Sequence, residues 1–165
     1  MRERLCRNEA FALHDTGRLT GDGYFESLRM SLGINISNAD FLDGWNAIFV
    51  GEMPGICGSL AKVATSVPLY AFTNTNRAHH LYWSRHFGNF VSHFKEIFVS
   101  YKIGLRKPDA EAFQFVVEAI GVPAERILFF DDVLANVEGA RACGLTPVHV
   151  TTASTVPEIL ARMAV

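Results

Sequence analysis

The sequence predicts a parallel α/β fold fronted by a helical lobe, and three observations carry that expectation. From Pro54 onward, short apolar runs that suit strands alternate with stretches of helical periodicity. Before Pro54 the apolar residues recur only at helical spacing. Ile127-Leu-Phe-Phe-Asp-Asp is an apolar run ending in two adjacent carboxylates, as expected of a strand covered on both faces that delivers charge to one edge of a sheet. These observations divide the chain into a helical lobe over residues 1–52 and an α/β core over residues 53–165.

In the first third, Tyr24, Phe25, Leu28 and Leu32 form one helical face closed by Gly33. Phe41, Leu42, Trp45, Ile48 and Phe49 form another behind a Ser37 cap. Ile56, Leu60 and Val63 predict a helix, followed by a strand over Leu69–Phe72 that stops at Thr73-Asn74-Thr75-Asn76. Ile97–Ser100 is the second strand. Phe113, Val116, Val117 and Ile120 face one side of a helix ended by Gly121. Ile127–Phe130 is the third strand, and Leu134, Val137 and Arg141 lie on the helix that Gly144 ends. Val148–Thr151 is the fourth strand, and Thr155-x-x-Glu158 predicts a capping box opening the last helix.

The 165 residues are 49% hydrophobic and 12% aromatic, enough to bury a sizeable core. A formal charge of −2 without a Lys/Arg block argues against a nucleic-acid or anionic-membrane partner and favours a small molecule. Cys6, Cys57 and Cys143 are an odd, widely spaced set that fits reduced thiols and a cytoplasmic setting. No apolar run is long enough to cross a membrane, and no signal-type apolar segment follows Arg2, Glu3 and Arg4. The six histidines show no zinc spacing. Adjacent His79 and His80 face different sides of a helix and, like Trp45 and Trp83, are expected to pack.

Three strand ends or loops carry polar features. Thr73-Asn74 follows the first strand, Lys107-Pro108 precedes a helix, and Asp131-Asp132 ends the third strand. Ligands of parallel sheets collect at the strands' carboxyl ends. There a hydroxyl and backbone amides can hold phosphoryl oxygens, a lysine can offset developing charge, and paired carboxylates can seat Mg²⁺. Each has a blander role as well. Thr73 or Asn74 can cap a helix, Lys107 can be a solvated charge, Pro108 can start a helix, and Asp132 can cap the helix after it. Their joint occurrence on alternating strands and helices favours a site.

Tyr70-Ala-Phe-Thr-Asn-Thr-Asn, Gly104-Leu-Arg-Lys-Pro-Asp and Phe129-Phe-Asp-Asp-Val-Leu-Ala-Asn-Val-Glu-Gly-Ala, in that order, resemble the second, third and fourth motifs of the haloacid dehalogenase superfamily. The segment from Glu9 through Trp45 is similar to the small helical cap of many of its phosphatases. The resemblance implies a Rossmann-like parallel sheet and a phosphatase acting on a small phosphorylated metabolite through an aspartyl phosphate. By resemblance Thr73, Lys107 and Asp131 act in catalysis, Thr73, Asn74 and Lys107 contact the phosphoryl group, and Asp131 and Asp132 hold Mg²⁺. The family's first motif, a strand ending in Asp-x-Asp that supplies the nucleophile, has no counterpart here: Asp-x-Asp does not occur. Asp15, Asp22, Asp40 and Asp43 lack a preceding apolar strand and are expected to be caps and surface charges.

The expectation is therefore a shortened chain whose sheet lacks its first, central strand. The two strands flanking the gap pair directly, or a borrowed segment or second copy fills it, because unpaired backbone edges are costly to bury. Mg²⁺ binding is expected to be weak or absent and phosphatase turnover slight. Two other readings stand beside this: a non-catalytic binding or regulatory protein, and a 2-haloacid dehalogenase, which forms its ester on carbon without a metal. A phospho-acceptor receiver domain is disfavoured by the order of the acidic pair, Thr and Lys.

Overall fold

A computed structural model of the protein describes residues 8–163. Cys6 and the stretch Arg2–Arg4 lie outside the described residues. Cys57 and Cys143 carry free thiols, and no described helix is long and apolar enough to cross a membrane.

Three helices open the described residues: α1 (Glu9–Asp15), α2 (Gly21–Leu32) and α3 (Asn38–Asn46). Each begins at a side chain that accepts from an otherwise unsatisfied backbone N–H: Asn8 from Phe11, Thr20 from Gly23 and Ser37 from Asp40. Gly33 ends α2 at φ 65°, a left-handed conformation that favours glycine. The expected apolar faces meet in part in one aromatic cluster, while Leu42 and Ile48 are exposed and Phe49 packs on His79 and Tyr82. Tyr24, Phe25, Leu28 and Phe41 are buried with Phe11 and Trp45 against them, and Phe25 stacks on Phe41 at 5.1 Å.

The rest alternates helix and strand: α4 (Ile56–Val63), β1 (Tyr70–Thr73), α5 (Arg77–His86), α6 (Gly88–Val91), β2 (Glu96–Val99), α7 (Ser100–Ile103), α8 (Ala110–Ile120), β3 (Leu128–Asp131), α9 (Leu134–Ala142), β4 (Thr146–His149) and α10 (Thr155–Met163). β1 pairs parallel to β2, with Thr73 opposite Val99, and β3 pairs parallel to β4, with Asp131 opposite His149.

These are two separate two-stranded sheets, so β1 and β3 do not pair. Direct closure of the gap is thereby corrected. The side chains around it supply the physical reason. Phe113 of α8 stands edge-on to both Phe72 of β1 and Phe129 of β3, at 5.8 and 5.5 Å. On the opposite face, Leu69 and Phe130 pack on the cluster of Ile56, Leu60, Val63 and Leu160. Helices thus bridge the two sheets on both faces while leaving the edges of β1 and β3 unjoined.

The same gap explains a second difference. Leu128, Phe129 and Phe130 are only half-buried, although their composition is that of a fully covered strand. Among the described residues β3 has a strand neighbour on one side only, which leaves its other edge open.

Smaller departures have local causes. Ser100 leaves the second strand to start α7. Its Oγ lies 2.6 Å from Asp15 O and 2.9 Å from Thr75 O, tying the end of α1 to the loop after β1. The fourth strand begins two residues before Val148 because Pro147 is accommodated in it. Thr146 and Val150 donate toward β3, to Ile127 and Asp131, which leaves Pro147 on the outer edge where no N–H is needed. The capping box at Thr155 does not form: Thr155 is the first helical residue, and its Oγ1 accepts from Thr152 N at 3.3 Å.

Candidate active site

The carboxyl ends of β1 and β3 lie on either side of one ammonium group. Lys107, only 7% exposed, extends from the loop before α8 and donates from Nζ to Phe72 O at 2.7 Å and to Asp131 Oδ2 at 2.6 Å. Its Nζ also stands 5.1 and 5.3 Å from the ring centroids of Phe72 and Phe129. A desolvated ammonium over aromatic faces gains a cation–π contribution besides its ion pair.

Asp131 is equally committed. While Oδ2 accepts from Lys107, Oδ1 accepts from Val133 N at 2.9 Å and Asn136 Nδ2 at 3.0 Å. Three donors, one of them charged, hold the buried carboxylate.

Asn74 is committed to the same lysine through its main chain. Its Nδ2 donates to Lys107 O at 2.8 Å and its Oδ1 accepts from Lys107 N at 2.9 Å. The peptide bond from Lys107 to Pro108 is cis. Thr73 ends β1 beside the Phe72 carbonyl. Its hydroxyl has only a 3.5 Å approach to Asn74 O, so it is a donor with capacity to spare. Asp132 is exposed, and its carboxylate accepts no hydrogen bond among the described residues. Nor does it cap α9, whose first turn lacks a side-chain cap. The helix after β1 is capped by Asn76, which accepts from His79 N, and not by Thr73 or Asn74. Of the five sequence-derived site residues, the structure thus joins Asn74, Lys107 and Asp131 through hydrogen bonds. Thr73 lies beside that group, and Asp132 stands apart from it in solvent.

Asp131 and Asp132 offer adjacent hard oxygens of the kind Mg²⁺ prefers. The donor set does not make a metal site as it stands. Asp131 has spent both oxygens on donors that a cation would have to displace, and no group of three or more His, Cys, Asp or Glu among the described residues is arranged to hold an ion.

Several supporting residues carried no signal in the sequence. Asn136 lies within the third motif-like stretch but has no assigned role there; in the structure it fixes Asp131. Asp15, expected to be a surface charge or cap, is 3% exposed. It lies at the end of α1, with Arg106 Nη2 3.8 Å from its carboxylate. Burial pushes its carboxyl up to about 6, and the Arg106 charge opposes that rise without cancelling it. Its neighbour His14 stacks on Tyr24 at 4.7 Å. Burial holds this imidazole below its ordinary range. His79 stacks on Trp45 at 5.1 Å and is held below its ordinary range by burial as well. His80 meets Tyr101 OH at 2.8 Å. These histidines and Trp45 pack, as expected.

The haloacid dehalogenase-like hydrolase model matches residues 49–144, which places this chain in that family. The chain is 50% identical to Phosphatase MT3486 of Mycobacterium tuberculosis over 46 residues, covering 28% of this chain and 21% of that protein. The curated relatives are matched over only 10–30% of their own length. Its fold is similar to that of a predicted HAD-like hydrolase from Porphyromonas gingivalis, with TM-score 0.82, 21% identity, and 98% of this chain and 82% of the other covered. It is also similar to a HAD family enzyme from Bacteroides thetaiotaomicron in complex with magnesium and inorganic phosphate, with TM-score 0.77, 22% identity, and coverage of 90% and 78%.

Proposed function

We propose that this haloacid dehalogenase-like hydrolase carries the phosphate-facing half of a phosphatase site for a small phosphomonoester. The observation that supports it best is the Lys107 ammonium shared between the end of β1 and Asp131 at the end of β3, two strands that do not pair with each other. In this reading Lys107 receives the phosphoryl charge, the Thr73 hydroxyl donates to a phosphoryl oxygen, and Asp131 orients Lys107. Transfer through an aspartyl phosphate needs a carboxylate nucleophile, and no Asp-x-Asp occurs in the 165 residues. Loss of one member of a concerted catalytic unit typically lowers kcat by about 10⁴ or more. The chain by itself is therefore expected to turn over very slowly. Mg²⁺, held through Asp131 and Asp132, is expected to bind weakly because Lys107 already occupies Asp131.

The open edges of β1 and β3 support an added element of the proposal: a strand from another segment or a second copy of the chain occupies the slot between them. A reducing, cytoplasmic setting is also proposed, on the odd cysteine number and the free thiols of Cys57 and Cys143.

The test has two parts. Inorganic phosphate binding, followed by calorimetry, is expected in the unmodified chain and lost in Lys107→Ala; no binding, or binding indifferent to that change, overturns the site. Hydrolysis of p-nitrophenyl phosphate is expected to stay at background with or without Mg²⁺. Appreciable Mg²⁺-dependent hydrolysis that Asp131→Ala abolishes would overturn the expected inactivity.

The second reading is a non-catalytic binding or regulatory protein. The specific observation favouring it is that Lys107 and Asp131 satisfy one another without a ligand. Phosphate-independent partner binding with no phosphate affinity would select it. A 2-haloacid dehalogenase is the in-family rival, and release of halide from 2-chloropropionate would identify it.

A further inference from the structure

Asn74 follows the strand-end threonine and was expected, by resemblance, to contact the phosphoryl group. Both polar atoms of its side-chain amide are used on one residue 33 positions away, donating to Lys107 O at 2.8 Å and accepting from Lys107 N at 2.9 Å. The pair of bonds closes a ring between a side-chain amide and the main-chain N–H and C=O of one residue, as in a strand pair that exchanges N–H and C=O. It fixes the loop's main chain at the residue whose side chain then runs to Phe72 O and Asp131.

We propose that Asn74 is a positioning residue. It clasps the Lys107 backbone so that the ammonium is presented at the strand ends, and it leaves phosphoryl contacts to Thr73 and Lys107. This rests on the reading of Lys107 as the site's cation. The alternatives at this position are poorer. An amide turned toward a phosphoryl oxygen would surrender both bonds to Lys107. A serine or alanine could not span to the loop. Aspartate would keep the acceptor for Lys107 N and place a repelled oxygen against Lys107 O.

The specific consequence is graded control of Lys107 accessibility. Reductive methylation of the full chain with formaldehyde and cyanoborohydride, read by peptide mass spectrometry, compares Lys107 with the exposed lysines Lys62, Lys95 and Lys102 of the same molecule. Lys107 is expected to react slowest. Asn74→Ala is expected to raise its rate by about tenfold or more, the equivalent of about 1.4 kcal/mol, with the other lysines unchanged. Asn74→Asp, which retains one bond, is expected to fall between.

Leu28→Ala, in the aromatic cluster of α2 and α3 and without contact to the Lys107 loop, controls for general destabilisation. An equal rise in that variant, or no rise in a folded Asn74→Ala, overturns the proposal. If both Asn74 variants fail to fold, amide hydrogen exchange in the unmodified chain decides. A slowly exchanging Lys107 N–H upholds the clasp, and an unprotected one sinks it. Loss of phosphate binding with the clasp intact would defeat the phosphatase reading alone.

Discussion

Replacing Lys107 with methionine tests the centre of the site because it removes charge while keeping much of the volume. Lys107 and Asp131 have side chains 8% and 6% exposed, with 2.6 Å between Nζ and Oδ2. Breaking a buried pair by removing one partner typically costs about 3–5 kcal/mol, since the remaining charge has neither water nor counter-ion. The bonds from Val133 N and Asn136 to Oδ1 survive the substitution and place the expected loss near the low end, about 3 kcal/mol. In a domain of this size that corresponds to a fall in Tm of about 6–12 °C. The double variant Lys107→Met, Asp131→Asn removes the stranded charge and is expected to recover at least half of the loss, because an apolar or neutral replacement of a buried pair is often tolerated. Urea unfolding of the four proteins at pH 7 completes the cycle. A single variant within 1 kcal/mol of the unmodified chain, or a double variant less stable than the single one, would refute the buried-pair account. A second readout follows from the geometry: Mg²⁺ should stabilise Lys107→Met more than the unmodified chain, since the freed Asp131 oxygen joins Asp132 as a cation ligand.

Further outcomes are expected elsewhere. Asp15 has its carboxyl raised to about 6 from 3.8, so ionisation is disfavoured in the folded chain and the penalty is absent below about pH 4 and complete above about pH 6. Asp15→Asn is therefore expected to stabilise at pH 7.5, by up to about 3 kcal/mol and less where water and Arg106 relieve the charge. The gain should vanish near pH 4 in urea titrations; destabilisation at pH 7.5 would show that Arg106 outweighs burial. His14 and His79 are lowered from 6.5 by burial, so their contribution to stability is present above about pH 6.5 and declines as pH falls. His14→Phe keeps a ring against Tyr24 and is expected to flatten the stability profile between pH 7 and 5, and an unchanged slope counts against the burial. Gly139 of α9 approaches the loop at Pro108; a Cβ there would lie 2.7 Å from Pro108 O and 2.9 Å from Phe113 Cε2. Gly139→Ala is expected to cost about 1–3 kcal/mol by overpacking, measurable by thermal unfolding.

Legibility in the sequence followed the range of the interactions. The helix behind the Ser37 cap, the helix that Gly33 ends and the strands ending at Thr73 and Asp131 depend on neighbours within a few residues. Their patterns are visible along the chain to within a residue or two. The extra strand residues at Thr146-Pro147 were hidden because Pro147 reads as a strand breaker until one knows that its nitrogen lies on an outer edge. Asp15 was misjudged for a related reason. Nothing adjacent to it indicates that Arg106, some 90 positions on, and Ser100 will enclose it. Asn136 and the Asn74 clasp are likewise long-range or side-chain-specific, and periodicity carries no information about which polar atom meets which.

The unpaired edges of β1 and β3 bear on why Lys107 is where it is. In a parallel sheet a missing central neighbour would be expected to let the flanking strands collapse together, gaining ladder hydrogen bonds. Collapse would require Phe72 and Phe129 to give up their edge-on contacts with Phe113 and Leu69 and Phe130 to shift on the α4–α10 cluster. Full burial of a large apolar side chain contributes about 1.5–3 kcal/mol, so the half-buried Leu69, Phe72, Phe129 and Phe130 together hold several kcal/mol in these contacts. That sum opposes the roughly 0.5–1.5 kcal/mol net of each new backbone bond. The sheets therefore stay apart, and the polar rim of the slot must be satisfied by something other than strand pairing. Lys107 does so at the carboxyl end, accepting Phe72 O and Asp131 as partners. A segment entering the slot with an acidic end would compete with Asp131 for the same ammonium, so strand insertion and release of Asp131 toward a cation are expected to be coupled events.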